Sequence, residues 1–259
     1  MTDLHPSVSV VIPVRDEATA IEPLIREIAQ AMDARSFEII VVDDGSEDGT
    51  DHILQALSAR IPFLRMHRHQ KSRGQSAAIR SGVRLAHAPL IVTLDGDGQN
   101  PPDQIPLLLA LFQNGASDLG LVQGQRAVRQ DGLGKRLASR FANAVRGGLL
   151  QDGVRDSGCG LKAFRREAYL DLPFFDHIHR FMPAMMLREG WRVETVDVTH
   201  RPRESGHSKY SNLARGLVGI PDLLGAAWLI RRSGRRGLPT PSRIRGAQVP
   251  PFGEEEARP

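Results

Sequence analysis

The hydrophobic pattern of the first half of the chain alternates between short β-branched runs and longer amphipathic segments. Continuous apolar runs that end in turn residues indicate buried strands, and apolar residues three and four positions apart indicate helices. Because each crossover between parallel strands must return over a sheet face, this alternation predicts an α/β fold with a mostly parallel sheet. The predicted strands are SVSVVIPV, FEIIVVD, FLRMHRH, PLIVTLD and SDLGLVQGQR; the predicted helices are EATAIEPLIREIAQAMDA, DGTDHILQALSAR, GQSAAIRSGVRLAHA and DQIPLLLALFQNG.

The pattern changes after about Leu133. GKRLASRFANAVRGGLL and HRFMPAMMLREG are predicted helices, RDSGCGLKAFRREAY a loop with a short strand, and WRVETVDVTHR a further strand. An apolar segment, Leu213–Ile230, follows, and a Pro-, Gly- and Arg-rich stretch that favours disorder ends the chain. We therefore expect one α/β domain over 1–208, an apolar helix over 209–232 and a disordered tail over 233–259.

Composition restricts the class of protein. Hydrophobic residues make up 41% and charged residues 25% of the 259 residues, as in ordinary soluble globular proteins. The single cysteine, Cys159, excludes an internal disulfide and suits a reducing compartment. The opening MTDLHPSVSVVIP lacks a signal-peptide pattern, so a cytoplasmic location is expected. Basic residues crowd the region from His200 to Arg245, which favours an anionic membrane, nucleic acid or phosphorylated substrate as a partner.

Acidic residues follow three of the predicted strands. In parallel sheets the carboxyl ends of the strands form the ligand-binding edge, so these acids should share one rim. Asp95 and Asp97 face the same way in an extended segment, and two carboxylates this close raise each other's pKa unless a cation lies between them. Mg²⁺ favours such oxygen ligands, and Gln99 offers another on that side. The acidic positions are Asp16, Glu17, Asp43, Asp44, Asp95 and Asp97.

Simpler interpretations of these acids remain open at this point. Asp-Gly-Asp-Gly is also common turn chemistry, and Ser46 or Asp48 is able to cap the helix after VVDDGS. No P-loop with Lys-Ser/Thr and no GxGxxG after the first strand is present, which argues against an NTPase or a dehydrogenase. The Arg-rich tail has no interleaved aromatic residues, which argues against nucleic acid as a partner.

Eight motifs occur together and in order: VVIPVRDE, IIVVDDGSEDGT, GQSAAIRSG, VTLDGDGQNPPD, VQGQR, KRLASR, RDSGCGLKAFRRE and RPRESGHSKYS. As a set they resemble the family-2 inverting glycosyltransferases of the GT-A fold, in the dolichyl-phosphate mannosyltransferase-like branch that includes polyprenyl-phosphate glycosyltransferases. The resemblance covers roughly Ser7 to Arg232. It implies a GT-A, Rossmann-like α/β fold (nucleotide-diphospho-sugar transferase) with a mostly parallel sheet sandwiched by helices.

The resemblance also implies roles for residues. Arg15 and Asp16 depart from the Tyr and Asn of many members, which leaves the nucleotide identity open. The residues implied to bind the nucleotide sugar are Pro13, Arg15, Glu17, Asp44, Gln75, Asp95 and Lys209. Those implied to hold Mg²⁺ or Mn²⁺ are Asp95, Asp97 and Gln99. Those implied to bind the acceptor phosphate are Arg126, Arg136, Ser139, Arg140 and Arg203, and the catalytic set is Asp95, Asp97, Arg126, Asp156 and Arg203.

The implied reaction moves a hexose, mannose or glucose, from a GDP- or UDP-sugar to a polyprenyl or dolichyl phosphate with inversion. A phosphate monoester is already an anion near neutral pH and needs only to be positioned. A hydroxyl acceptor, as in cell-wall or polysaccharide synthesis, would need a general base, and Asp156 is the first candidate. Alternatives of other classes are a nucleotidyltransferase, although PVRDEATA lacks the usual basic Gly-rich loop, and a non-catalytic nucleotide-sugar-binding protein.

The apolar helix suggests where such a protein acts. An apolar segment followed at once by arginines is typical of helices that lie on anionic membrane surfaces. We therefore expect peripheral contact with the cytoplasmic face of the inner or plasma membrane. A core or dimer helix is the alternative for the same segment.

Overall fold

The computed structural model describes residues 6–113, 117–126, 146–201 and 212–232, with side chains in the last range from Ile220 onward. Within these ranges, seven strands form one sheet. They are β1 (Val8–Val14), β2 (Phe37–Asp43), β3 (Leu64–Arg68), β4 (Leu90–Thr93), β5 (Leu119–Arg126), β6 (Lys162–Arg165) and β7 (Arg192–Val198).

The helices alternate with these strands as the apolar pattern predicts. They are α1 (Ile21–Ala31), α2 (Thr50–Ser58), α3 (Gln75–Leu85), a 3₁₀ turn (Pro102–Gln104), α4 (Ile105–Gln113), α5 (Arg166–Leu170), α6 (Ile178–Arg188) and α7 (Asn212–Arg232). Residues 146–150 are also helical. In the described ranges, no helix combines the length and apolar character that crossing a membrane requires.

The sheet order is β3-β2-β1-β4-β6-β5-β7, and β6 is its antiparallel member. The other strands run in one direction, which confirms the prediction of a mostly parallel α/β sheet. Because β6 runs the opposite way, it starts at the edge where its neighbours end, and Lys162 lies opposite Thr93. The segment before β6 is thereby brought to the carboxyl ends of the parallel strands.

Both faces of the sheet are buried, which explains the continuous apolar runs. On β1, alternate residues such as Val10 and Ile12 belong to one core cluster with residues of α1, α2 and α4. Val11 points to the other face and joins a second cluster with residues of α3, α5 and α6. Helices thus cover both faces of the sheet, and the polar residues at the ends of the strands lie outside the core.

The C-terminal part of the chain is described only in part. Helix α7 coincides with the apolar segment expected over 209–232. The predicted helix GKRLASRFANAVRGGLL lies largely outside the described residues, and so does the predicted tail 233–259. The division into domains stays a prediction.

Candidate active site at the carboxyl ends of the strands

Hydrogen bonds join the loop after β1 to the loop after β2. The Asp16 backbone has a left-handed φ of 55°, and its Oδ1 accepts a hydrogen bond from Glu47 N at 2.8 Å. Asp16 N donates to Ser46 Oγ at 2.9 Å, and Glu17 N donates to Thr50 Oγ1 at 3.0 Å. These acids therefore help to assemble the rim. Helix α2 has Gly49 as its N-cap residue, and Asp48 Oδ1 accepts a hydrogen bond from Thr50 N, the first N–H of the helix, at 3.0 Å, so Asp48 caps this helix as the simpler interpretation expects.

Asp44 lies buried beneath this rim, where it holds the loop that follows β3. Its Oδ1 accepts hydrogen bonds from His69 Nδ1 (2.7 Å) and Arg73 N (2.8 Å). Its Oδ2 accepts from Ser72 Oγ (2.7 Å) and Gly74 N (2.9 Å). Burial by itself would raise the pKa of Asp44, but these four donors outweigh it and hold the pKa below its ordinary value.

The residues predicted to contact the nucleoside lie around this loop. Pro13, Arg15 and Glu17 are at the end of β1, and exposed Arg15 donates to Ser72 Oγ at 3.0 Å. Arg15 is therefore linked to Asp44 through one hydroxyl. A surface pocket opens beside them, lined by Arg68, His69, Gln70, Lys71 and Arg73.

Asp95 occupies the end of β4 at the centre of this edge. Its Oδ1 accepts a hydrogen bond from Gln75 Nε2 at 2.7 Å, so two predicted donor-site residues are in contact. Burial and then the charge of Asp97 raise the pKa of Asp95, and the charges of Lys162 and Arg126 act in the opposite direction. The structure thus brings the two predicted metal-site carboxylates close enough to repel one another.

The backbone at Gly160 is essential to this placement of Asp95. A Cβ atom at Gly160 would overlap the carboxyl carbon and both carboxylate oxygens of Asp95. Only glycine lets the loop before β6 approach the acid this closely.

The oxygen donors at this edge fit Mg²⁺ or Mn²⁺. Mg²⁺ is usually held by one or two carboxylates together with substrate phosphates, and Asp95 and Asp97 supply such a pair. Gln99 N donates to Asp97 Oδ1 at 3.2 Å, which places the Gln99 backbone beside that pair. The described parts of the chain contain no group of three or more His, Cys, Asp or Glu able to hold a metal. The assignment of Asp95, Asp97 and Gln99 as ligands stays a prediction.

Arg126 and Asp156 form a bidentate ion pair beside the carboxylates. Arg126 Nε donates to Asp156 Oδ2 at 2.6 Å and Nη2 donates to Oδ1 at 2.8 Å. The hydrogen bonds to Asp156 raise the pKa of Arg126 despite its burial. A carboxylate held on both oxygens by a guanidinium is a weak base, whereas the guanidinium retains a side turned away from Asp156. The geometry favours positioning over proton abstraction here.

Sequence reasoning missed a buried polar group behind Asp95. Lys162 is 3% exposed and donates from Nζ to the Cys159 carbonyl. Burial lowers the pKa of Lys162, and burial together with the Lys162 charge holds the pKa of His179 well below its ordinary value. The Nδ1 atom of neutral His179 lies 2.7 Å from Ser76 Oγ. A lysine within an apolar strand was the signal available in the sequence.

Several predicted residues cannot be placed. Arg136, Ser139, Arg140, Arg203 and Lys209 lie outside the described residues, and their assignment to the acceptor or donor stays a prediction. Cys159 is 1% exposed within the core, and burial raises the pKa of its thiol. Cys159 is therefore a residue of the core.

Comparisons with known proteins show the family to which the chain belongs. The family described as Glycosyl transferase family 2 matches residues 9–172. The chain is 34% identical over 235 residues to the dodecaprenyl-phosphate galacturonate synthase of Rhizobium johnstonii, covering 88% of this chain and 69% of that protein.

Solved structures show the same fold at low sequence identity. The mannosyltransferase PcManGT from Pyrobaculum calidifontis, in complex with GDP-Man and Mn²⁺, has a TM-score of 0.62 at 23% identity. The match covers 88% of this chain but only 65% of that enzyme. Glucosyl-3-phosphoglycerate synthase from Mycobacterium tuberculosis, in complex with Mn²⁺, UDP-glucose and phosphoglyceric acid, has a TM-score of 0.65 at 18% identity, covering 86% and 80%. The expected GT-A fold is thereby confirmed.

Proposed function

Because the chain belongs to glycosyltransferase family 2, we propose that it transfers a sugar from a nucleoside-diphosphate sugar to a polyprenyl phosphate, with inversion and with Mg²⁺ or Mn²⁺. The observation that carries the proposal is the pair Asp95 and Asp97 at the carboxyl edge, where the charge of one raises the pKa of the other. Asp95 and Asp97 would hold the divalent ion, and its charge would compensate both carboxylates. When bound, it stabilises the negative charge that develops on the leaving diphosphate.

On the donor side, the proposed roles follow from the loops already described. The pocket lined by Arg68, Lys71 and Arg73 lies beside Asp44 and offers cationic side chains to the nucleoside diphosphate. Asp44 acts by fixing the backbone of that loop, and Arg15 and Glu17 border it. Gln75 holds the Asp95 carboxylate in place through its amide.

On the acceptor side, Arg126 binds the phosphate that attacks the anomeric carbon. Asp156 fixes the guanidinium from one side and leaves the other to the acceptor. A phosphate monoester attacks without losing a proton, so a site without a strong base suits it. The relative from Rhizobium is named as a dodecaprenyl-phosphate sugar synthase, which supports the same acceptor class. A hydroxyl acceptor would require a base that the Arg126–Asp156 pair does not supply.

The identity of the sugar is the open part of this proposal. Mannose and glucose from GDP or UDP donors are the expectation from the motifs, whereas the relative is named for galacturonate. A lipid acceptor places the reaction at a membrane surface, and the expected side is the cytoplasmic face.

Donor binding and transfer test the proposal separately. The shift in melting temperature is measured for GDP and UDP hexoses and UDP-hexuronates, each with Mn²⁺ and with EDTA. The donor that stabilises the protein is then supplied with a short polyprenyl phosphate, and the glycolipid and its anomeric configuration are identified. An Mn²⁺-dependent shift followed by an inverted product is expected.

A matched pair of variants controls this experiment. Asp97→Asn removes one proposed ligand and should abolish the Mn²⁺-dependent shift. Asp103→Asn makes the same change at an exposed carboxylate of the 3₁₀ turn that follows and should retain the shift. Transfer only to hydroxyl acceptors, or equal donor binding in EDTA, would reject the proposal.

A further inference from the structure

Helix α7 has one packed face and one exposed apolar face. Ala226 and Ala227 are 1% and 4% exposed, and Leu223, Leu229 and Ile230 pack against the second core cluster. On the opposite side, large apolar side chains recur at every fourth position. These are Ile220, Leu224 and Trp228, with exposures of 54%, 58% and 58%. We call these three side chains the apolar stripe.

The exposed charged residues that α7 places beside the apolar stripe are positive. Arg231 and Arg232 follow it and are exposed, and the Arg232 guanidinium lies 5.5 Å from the centre of the Trp228 ring. The acid of this stretch, Asp222, is only part exposed and is bound to His177 Nδ1 at 2.7 Å. The exposed surface of the helix end is thus apolar and cationic. Tryptophan beside arginine is a combination suited to the boundary between lipid headgroups and acyl chains.

Helix α7, which carries the apolar stripe, is joined to the candidate active site by a series of contacts that starts at the Asp222–His177 pair. His177 precedes α6, and two residues later His179 contacts Ser76 at the start of α3. The neighbour of Ser76, Gln75, is bonded to Asp95. This series of contacts connects α7 to the carboxylate edge, where a lipid phosphate would have to arrive.

We propose that the apolar stripe and Arg231–Arg232 form a docking face for an anionic bilayer, with α7 lying in the plane of the membrane. The three apolar side chains enter the headgroup region and the arginines contact lipid phosphates. The opposite face of α7 keeps the domain attached through its core contacts. The proposal rests in part on the proposed function, because a lipid acceptor is what brings the enzyme to a bilayer.

Vesicle binding tests this surface without donor, acceptor or metal, so its outcome is separate from that of the transfer assay. The full chain is mixed with phosphatidylcholine vesicles and with phosphatidylcholine–phosphatidylglycerol vesicles, and the bound fraction is measured by flotation. We expect binding to the anionic vesicles that weakens with salt. In a Trp191→Phe background, Trp228 emission should shift to shorter wavelength on binding.

Point variants locate the binding surface. Leu224→Gln should weaken anionic-vesicle binding at least about 10-fold, since burying a leucine contributes roughly 1.5–3 kcal/mol. Arg231→Gln should weaken it about 5-fold, as for one basic residue near an anionic surface. The control is Leu85→Gln, which makes the same leucine-to-glutamine change at an exposed leucine on α3. This control should bind anionic vesicles as the unaltered chain does. Circular dichroism and the urea midpoint confirm that each variant is folded.

Three results would overturn the proposal. The first is Leu224→Gln binding anionic vesicles as strongly as Leu85→Gln does. The second is a concentration-dependent dimer that Leu224→Gln abolishes, which would make a second copy of the chain the occupant of this face. The third is Trp228 emission already at short wavelength in buffer, which would mean that the protein itself covers the stripe.

Discussion

Replacing Asp44 by asparagine tests the idea that this acid organises the rim. The change preserves shape but converts one acceptor into an amide that only donates. Ser72 can rotate its hydroxyl and His69 can change tautomer, so each is able to present an acceptor. Arg73 N and Gly74 N cannot, and each is paired with a different oxygen of Asp44. In either orientation of the asparagine, one part-buried backbone N–H therefore faces an NH₂ group.

The expected cost follows from this count. One backbone N–H without an acceptor costs about 1–3 kcal/mol. The two donors that still bond to an oxygen now bond to an uncharged acceptor, and this weakens the two hydrogen bonds by roughly 1 kcal/mol together or somewhat more. Asp44→Asn should therefore lower the free energy of unfolding by about 2–4 kcal/mol, which a domain of ordinary stability survives folded.

Urea unfolding followed by circular dichroism at pH 7 measures this difference. Asp33→Asn changes an exposed carboxylate in the same way and should alter stability by less than about 0.5 kcal/mol. Because the pKa of Asp44 is lowered in the folded protein, its contribution is present above the ordinary carboxylate pKa of about 4 and is lost as pH falls through the lowered value. Wild type and Asp44→Asn should converge in acid. A cost below about 0.5 kcal/mol at pH 7, or one that does not change with pH, would refute the reasoning.

Three further predictions concern the carboxylate edge. Gly160→Ala should displace Asp95 and abolish the Mn²⁺-dependent thermal shift, whereas Gly158→Ala, whose Cβ would lie 3.5 Å from Arg126 Nη2, should retain it; equal shifts would contradict the packing argument. The pKa of Asp95 is raised in the folded protein, which means that folding disfavours its ionised form. The metal-free protein should therefore lose stability as pH rises above the ordinary carboxylate range. For the same reason, Asp95→Asn should resist urea better than wild type at pH 7. Arg126→Lys should lose the bidentate contact with Asp156, raise KM for the acceptor at least about 10-fold and leave donor-induced stabilisation intact; an unchanged acceptor KM would argue against phosphate binding there.

The sheet was predictable from sequence because its strands are buried on both faces. Runs such as Val8–Val14 have no competing helical period, and their carboxyl ends mark the rim where acids accumulate. The antiparallel direction of β6 was not predictable, since a short strand that begins with Lys162 is hard to distinguish from a loop. Its orientation depends on pairing with β4 and β5, which are remote in the sequence.

The candidate site was predictable in its residue types but not in its internal contacts. The spacing of Asp95 and Asp97 indicates a metal site, yet the close approach of Gly160 depends on how β6 enters the sheet. Likewise the acid pair at the end of β2 was evident, but Asp44 turns inward only because the loop after β3 returns over it. Contacts of this kind arise from tertiary packing, and no local pattern encodes them.

The bidentate ion pair between Arg126 and Asp156 also bears on how the length of the chain between them can change. These residues are 30 positions apart, yet a bidentate ion pair joins them, so the chain returns to the end of β5 before it enters β6. Lengthening an excursion with fixed ends carries little entropic penalty, about 0.6 kcal/mol for each doubling. The number of residues between Arg126 and Asp156 can therefore change at little cost in stability, while the ion pair at the two ends of the excursion is kept.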